Sequence, residues 1–324
     1  MTPRGTCLSR ALRVTATTLA LTACASAPPP AVTTAPSAQS DASAPGVAPF
    51  DDVGESWIRV NATIGERTAT RLMFDTGGGV TLLSRTLCAK VGCVEDGTFT
   101  GQRMSGQSLT LPMARVPSIT IAGHRVTNAR VAVLDTSSLL HPELGVEGFA
   151  ALDLFRDSAI TIDYPGKRLV VESPSTLQER ARAGVTTRVR VEHDGPSTVV
   201  YLPLTLDETS TASPLEMEVD TGSNNLILDD RFMAPLGIDP AATGVKRVEG
   251  TDETGHAYVR TYTTLPRAVR VPSPHGAPSV TAPAGSGVMF QRIIHDGLVG
   301  QRFLRPSAVT FDLVGGAMIF APRG

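Results

Sequence analysis

The segment from Glu147 to Val171 recurs without a gap as Asp296 to Phe320, at a constant offset of 149 residues. Identical pairs are Gly148/Gly297, Arg156/Arg305, Ser158/Ser307, Ala159/Ala308, Thr161/Thr310, Asp163/Asp312 and Gly166/Gly315. Each copy carries an alternating stretch, Ala159 to Asp163 and Ala308 to Asp312. A turn follows, at Pro165-Gly166 in one and Gly315-Gly316 in the other, and then a closing strand, Arg168 to Val171 or Ala317 to Phe320. Alternation broken by Gly and Pro is the pattern of hairpins. A duplicated hairpin frame in a chain of 324 residues predicts two similar β-rich lobes, each large enough to bury a core.

Upstream of each hairpin stands the same tripeptide, Asp75-Thr76-Gly77 and Asp220-Thr221-Gly222, the copies 145 residues apart. Each ends an apolar alternation and is followed by another apolar run, Val80 to Leu83 and Leu226 to Leu228. A short helix is predicted after each run, over Ser84 to Ala89 and Asp229 to Ala234, because both segments open on a residue suited to capping a helix. Equivalent positions of two lobes would bring Asp75 and Asp220 to one site at the junction. Two close carboxyls cannot both ionise cheaply, so such a pair holds one proton over a broad pH range. The ionised member can take a proton from water while the other stabilises a developing oxyanion.

With these residues in view, the chain resembles a bilobal, retropepsin-like aspartic protease of bacterial type, from about Trp57 to Phe320. The resemblance implies an all-β, two-lobed acid-protease fold, each lobe a β-barrel-like unit with one or two short helices. The lobes would cover 53–180 and 181–324, meeting near a connecting turn or short helix at Gln178 to Gly184. It implies Asp75 and Asp220 as catalytic residues of peptide-bond hydrolysis, with a peptide or protein as substrate and no metal or cofactor. Thr76 and Thr221 would cross-bond to the opposite loop. Gly77 and Gly222 would allow the tight turn and offer N–H donors to the carboxylates. Ser223 would hydrogen-bond Asp220. A single chain with both halves is expected to be a monomer.

Two departures are visible. A family element of two apolar residues and Gly is present as Leu298-Val299-Gly300, but its first-lobe counterpart is Phe149-Ala150-Ala151, which predicts strain or a shift in the Asp75 loop. Gly78 stands where the second copy has Ser223, so Asp220 is expected to be the more readily ionised member. Thr98 to Pro112 and Gly250 to Tyr262 are candidate flaps, the first without the tyrosine of the pepsin flap. The alternative function is a non-catalytic lipoprotein that keeps the fold to bind peptides or protein partners.

The N-terminus reads as an export signal. Arg4, Arg10 and Arg13 precede a short apolar stretch, and Leu21-Thr22-Ala23-Cys24 resembles the lipobox of bacterial lipoproteins. This predicts a signal peptide over 1–23, a membrane anchor through lipid on Cys24, an Ala/Pro/Ser/Thr-rich tether over 24–52, and an outer-membrane address because Ala25 follows the Cys. Ordinary cleavage after a small-x-small site is the competing reading, and it also exports the protein. Nothing basic lies between Arg13 and Arg59, so a pepsin-type prosegment is not present. In an oxidising compartment Cys88 and Cys93 should form a small-loop disulfide, since two thiols without companions do not make a zinc site. A net charge of −2 without a basic run argues against nucleic-acid partners. The six histidines show no ligand spacing and read as surface or structural residues. No Gly-x-Ser-x-Gly motif is present, and Gly77-Gly78-Gly79 lacks the Lys-Ser/Thr of a phosphate loop.

Overall fold

The computed structural model describes residues 45–54, 57–135, 142–206, 213–252, 255–272 and 280–321. The predicted signal peptide, Cys24 and most of the predicted tether lie outside these residues. Among the described residues no helix is long and apolar enough to cross a membrane.

The repeated hairpins meet. Ala159–Asp163 pairs antiparallel with Ala308–Asp312, and Thr161 lies opposite Thr310, its own repeat equivalent. Their hydroxyls are 2.7 Å apart. Ile160 faces Phe311 and Ile162 faces Val309, so the register runs symmetrically outward from the two threonines. Such self-pairing requires an approximate two-fold axis between them. Arg168–Val171 and Ala317–Ala321 flank this centre. Gly46–Val53 and Val185–Arg188 close the two edges. These six strands form the part of a 13-stranded sheet that both lobes share. All five side chains of Ala159–Asp163 are buried, as expected for a strand covered on both faces.

The first lobe continues from the far end of Gly46–Val53 into strands Trp57–Ile64, Thr68–Phe74, Gly148–Ala150, Leu82–Ser84, His124–Leu134, Ser108–Ile121 and Val94–Gln102. The second lobe is an eight-stranded sheet that begins at Arg190–Asp194 and repeats the same central arrangement. In each lobe the strand ending at the Asp pairs in parallel with the short strand of the downstream element: Thr68–Phe74 with Gly148–Ala150, and Leu215–Val219 with Gly297–Val299. The architecture is therefore the two-lobed, all-β acid-protease fold, with a core from Ile58, Leu72, Phe74 and Phe155 in one lobe to Leu202, Phe290 and Leu304 in the other.

Local signals explain the short helices. Ser84 caps Arg85–Val91 by accepting the Leu87 amide, and Gly92 ends it in the left-handed region at φ 71°. The Cys88–Cys93 disulfide spans that end. In the second lobe Asp229 caps only a 3-10 turn, Asp230–Phe232, so the predicted helix to Ala234 is shorter than expected. Pro235 follows and disfavours helical geometry at Ala234. The connection between lobes is a helix, Pro174–Ala183, started by a capping box of Ser173 and Thr176.

One boundary needs correction. The composition assigned 24–52 to a tether, yet Gly46–Val53 is a paired strand with Phe50 buried. Gly46 to Phe50 is apolar throughout, unlike the Ser/Thr-rich stretch before it, and its ladder hydrogen bonds come from backbone groups.

Candidate active site

Asp75 and Asp220 each follow directly on a buried strand and enter the space between the lobes. The Asp75 amide donates to the Ala150 carbonyl at 2.9 Å, and the Asp220 amide to Val299 at 3.0 Å. Each loop is thereby fixed to its downstream element. Thr76 and Thr221 are wholly buried and bond reciprocally. The Thr76 amide donates to Thr221 Oγ1 and the Thr221 amide to Thr76 Oγ1, both at 3.0 Å. Their hydroxyls then donate across the junction, Thr76 to the Val219 carbonyl at 2.7 Å and Thr221 to Phe74 at 2.9 Å. Four buried hydrogen bonds thus lock the loops of different lobes in register.

The carboxyls lie within hydrogen-bond reach of each other. Asp75 Oδ1 accepts the Gly77 amide at 3.1 Å, and Asp220 Oδ1 accepts the Gly222 amide at 2.7 Å. A Cβ at Gly77 would sit 2.6 Å from Asp220 Cγ, and one at Gly222 would sit 2.8 Å from Asp75 Oδ2. Only glycine lets each carboxyl pack on the opposite loop.

Burial pushes both carboxyls above their ordinary range, and Asp220 further. On Asp75, the hydrogen bond from Asp220 and the Gly77 and Gly78 amides favour the charged form. On Asp220, the charges of Asp75 and Glu218 act against ionisation. The two carboxyls therefore titrate as a pair and hold one proton between them. Ser223, expected to hydrogen-bond Asp220, bonds within its own turn instead. Its Oγ accepts the Asn225 amide at 3.3 Å and so supports the turn.

Ala151 does not strain its loop. It is extended at φ −116°, fully buried, and its amide donates to Thr81 Oγ1 at 3.1 Å. In the second lobe a Cβ at Gly300 would run into the Asn225 and Ser223 carbonyls. The two lobes route these chains differently, so glycine is demanded in one and not in the other.

A cavity of about 600 Å³ opens beside the pair; Asp220, Gly77 and Gly78 are among the residues lining it, and Asp75 is not. The hairpin of Val94–Gln102 and Ser108–Ile121, which contains the first candidate flap, roofs it through Phe99, Met104 and Leu109. Its tip crosses to the second lobe. The Ile294 amide donates to the Met104 carbonyl at 2.9 Å, and Met104 packs against Ile227, Met289, Ile293 and Leu298. The second candidate flap forms a hairpin, Lys246–Thr251 with Ala257–Thr264, that does not line the cavity. Instead Asp252 at its turn pairs with Arg103 of the first, at 3.4 Å. One hairpin covers the site and the other braces it.

Several residues of the site are not singled out by the motif. Trp57 Nε1 donates to the Gly222 carbonyl at 3.0 Å, joining the first lobe to the second Asp loop. Buried Gln301 donates Nε2 to the Thr221 carbonyl at 2.7 Å. Glu218 and His295, the latter read from sequence as surface or structural, both line the cavity. Glu218 was findable, since it precedes Asp220 by two residues on a strand and so shares its face. His295 lies far along the chain, and no spacing points to it. Among the described residues no cluster of three potential ligands could hold a metal ion.

A family model described as aspartyl protease matches residues 60–147, the part of the first lobe that holds Asp75 and the covering hairpin. Among solved structures, basic 7S globulin from soybean aligns at 11% identity with a TM-score of 0.50, over 86% of this chain and 96% of that one. A second, titled edgp, aligns at 11% identity with a TM-score of 0.49, over 86% and 94%. At 11% identity the likeness to the soybean protein is one of fold. No curated protein matches the sequence. The chain is thus aspartyl-protease-like in first-lobe sequence and in overall fold.

Proposed function

We propose that this protein is an aspartic endopeptidase in which Asp75 and Asp220 activate water for peptide-bond hydrolysis. The observation that carries this reading is the reciprocal Thr76–Thr221 grip, which holds the two carboxyls in contact beside a covered cavity. Asp75 takes a proton from water as its oxygen adds to the peptide carbonyl, and Asp220 gives its proton to the carbonyl oxygen. The tetrahedral diol then collapses. Asp75 passes its proton to the leaving nitrogen, the C–N bond breaks, and a diol hydroxyl returns a proton to Asp220. Charge changes little through the cycle, which suits a site screened from water.

The lipobox-like Leu21 to Cys24 motif supports a further part of the proposal: an exported, lipid-anchored enzyme of the cell envelope, working as a monomer on peptides or unfolded protein. The test is cleavage of a peptide library by the folded domain, with and without a statine-type inhibitor, beside Asp75→Asn and Asp220→Asn. Cleavage blocked by the inhibitor and lowered at least about a thousandfold in either variant is the expected result, since an acid–base role alone accounts for that order. Cleavage that survives either substitution in a folded protein refutes the dyad. A folded wild-type domain that binds peptides without cutting them establishes the non-catalytic alternative.

A further inference from the structure

The strand Leu215–Val219 delivers Asp220, and Glu218 stands two residues before it on the same face. Only 8% of Glu218 is exposed, yet it lines the cavity. Its Oε2 lies 3.1 Å from His295 Nε2, and the imidazole rests against Tyr201, ring centres 5.3 Å apart. The equivalent first-lobe position is Met73, which is 3% exposed and packs with Leu144. The same frame therefore accepts an apolar side chain there, and the fold itself does not require a carboxylate.

Most of the surrounding charges are matched, and Asp194, which also lines the cavity, adds a further carboxylate. Arg190 stacks on the Tyr201 ring at 3.8 Å and bonds Glu192 and Glu216. Asp296 is held by Arg231. Leu298 is the opposite neighbour of Glu218 on the adjoining strand, and Arg103 on the covering hairpin pairs with Asp252. His295 is thus the cation that answers Glu218, and a histidine answers it only when protonated.

We infer that Glu218 and His295 form a positioning pair that sets the pH range over which the Asp75–Asp220 pair holds a single proton. Both lie beside the dyad on the second-lobe side and neither needs to touch the scissile bond. With His295 protonated the pair is neutral and leaves the dyad to its own burial. With His295 neutral, the Glu218 charge stands alone and retains the dyad proton toward higher pH. Glu218 is among the charges that push both catalytic carboxyls upward. The pair would extend the singly protonated state toward neutral pH, away from the acid range in which an isolated pair works.

This inference rests on the protease reading for its use, so the experiment reads the carboxyls directly. Carbon-13 carboxyl NMR follows the titration of Asp75 and Asp220 in the wild type, Glu218→Gln and His295→Gln, and the pH dependence of kcat/KM is measured in parallel. A single charge at strand spacing moves a neighbouring titration by about one pH unit. Glu218→Gln is expected to lower both dyad transitions by about that amount. His295→Gln, which leaves the Glu218 charge unanswered, is expected to raise a dyad transition, opposite in sign to Glu218→Gln. A structural role would move both variants together. Dyad transitions that stay put in a folded Glu218→Gln protein, or that shift alike in both variants, overturn the inference. If the transitions move as expected but no peptide is cut, the charge pair stands and the protease reading falls. If peptide is cut and the transitions do not move, the inference alone falls.

Discussion

Asp153 illustrates how one carboxyl can govern acid stability without touching substrate. It sits under the Asp75 loop and accepts both the Thr81 amide at 3.0 Å and the Thr81 hydroxyl at 2.6 Å. Burial raises it from an ordinary 3.8 to about 6, against the pull of those bonds. A raised folded-state value means that the protonated form is favoured by folding. Its contribution is complete below about pH 4 and is lost as pH rises through about 6. The difference corresponds to a few kcal/mol at most, on the order of 3. Asn in its place keeps one bond from Thr81, loses the other at about 1 kcal/mol, and removes the ionisation. Asp153→Asn should therefore be less stable than the wild type near pH 4 and equal or better near pH 7. Denaturant midpoints at four pH values check this, and parallel profiles would count against it. At this scale the motif made Asp75, Thr76, Asp220 and Thr221 legible, because the chemistry demands those residue types together. It did not reveal Trp57, Gln301 or His295, whose roles depend on bonds between residues far apart in the chain, up to 165 positions for Trp57 and Gly222.

At the scale of elements, hairpins were legible wherever alternation met a Gly or Pro turn. Ala159–Asp163 with Arg168–Val171 and their second-lobe copies follow that grammar closely. The covering hairpin was legible as a hairpin. Its closure was not, since that depends on where Ile294 arrives from the other lobe. Gly106 marks the contact. Its φ is +82°, and a Cβ there would lie 2.8 Å from Ile294 Cγ2. The left-handed strain of Gly106→Ala is present whether the hairpin is open or shut, and costs stability by about 1–2 kcal/mol. The clash with Ile294 exists only when it is shut. Closure should then weaken by about 1 kcal/mol, which reads as a roughly fivefold rise in KM with kcat changed less. Steady-state kinetics on one peptide decides it, and an unchanged KM would show that the Met104–Ile294 contact does not limit closure.

Across the whole molecule, the two-fold relation visible in the repeat becomes physical at two places, Thr161 with Thr310 and Thr76 with Thr221. The repeated arginines extend it. Arg156 reaches over to the Thr198 hydroxyl and the Gly195 and Ser197 carbonyls, while its equivalent Arg305 bonds Asp52 at 2.6 Å. Asp52 also pairs with Lys167 at 3.1 Å. Burial alone would raise this carboxyl, but Arg305 and Lys167 hold it below its ordinary range. Gly46–Val53 is thus more than an edge. It links the shared sheet to Trp57–Ile64, places Phe50 edge-on to Tyr164 at 6.3 Å, and ties to the second lobe through Asp52. Composition concealed this, because Gly46 to Phe50 continues the Ala/Pro-rich run before it, and the ladder and ion pairs that hold the strand are not visible in residue types. The two readings of 46–52 separate cleanly. If these residues belong to a tether, a chain shortened to begin at Gly54 melts like one that begins at Pro45. If they form the strand, loss of Phe50 burial alone removes about 2–3 kcal/mol, and the ladder and the Asp52 pairs add to that. For a domain of this size that lowers Tm by roughly 5–10 °C, as one cooperative transition because both lobes share the sheet. Scanning calorimetry on the two shortened chains makes the comparison. Equal melting temperatures would return the segment to the tether, and two separate transitions in the longer chain would mean that the shared sheet does not couple the lobes.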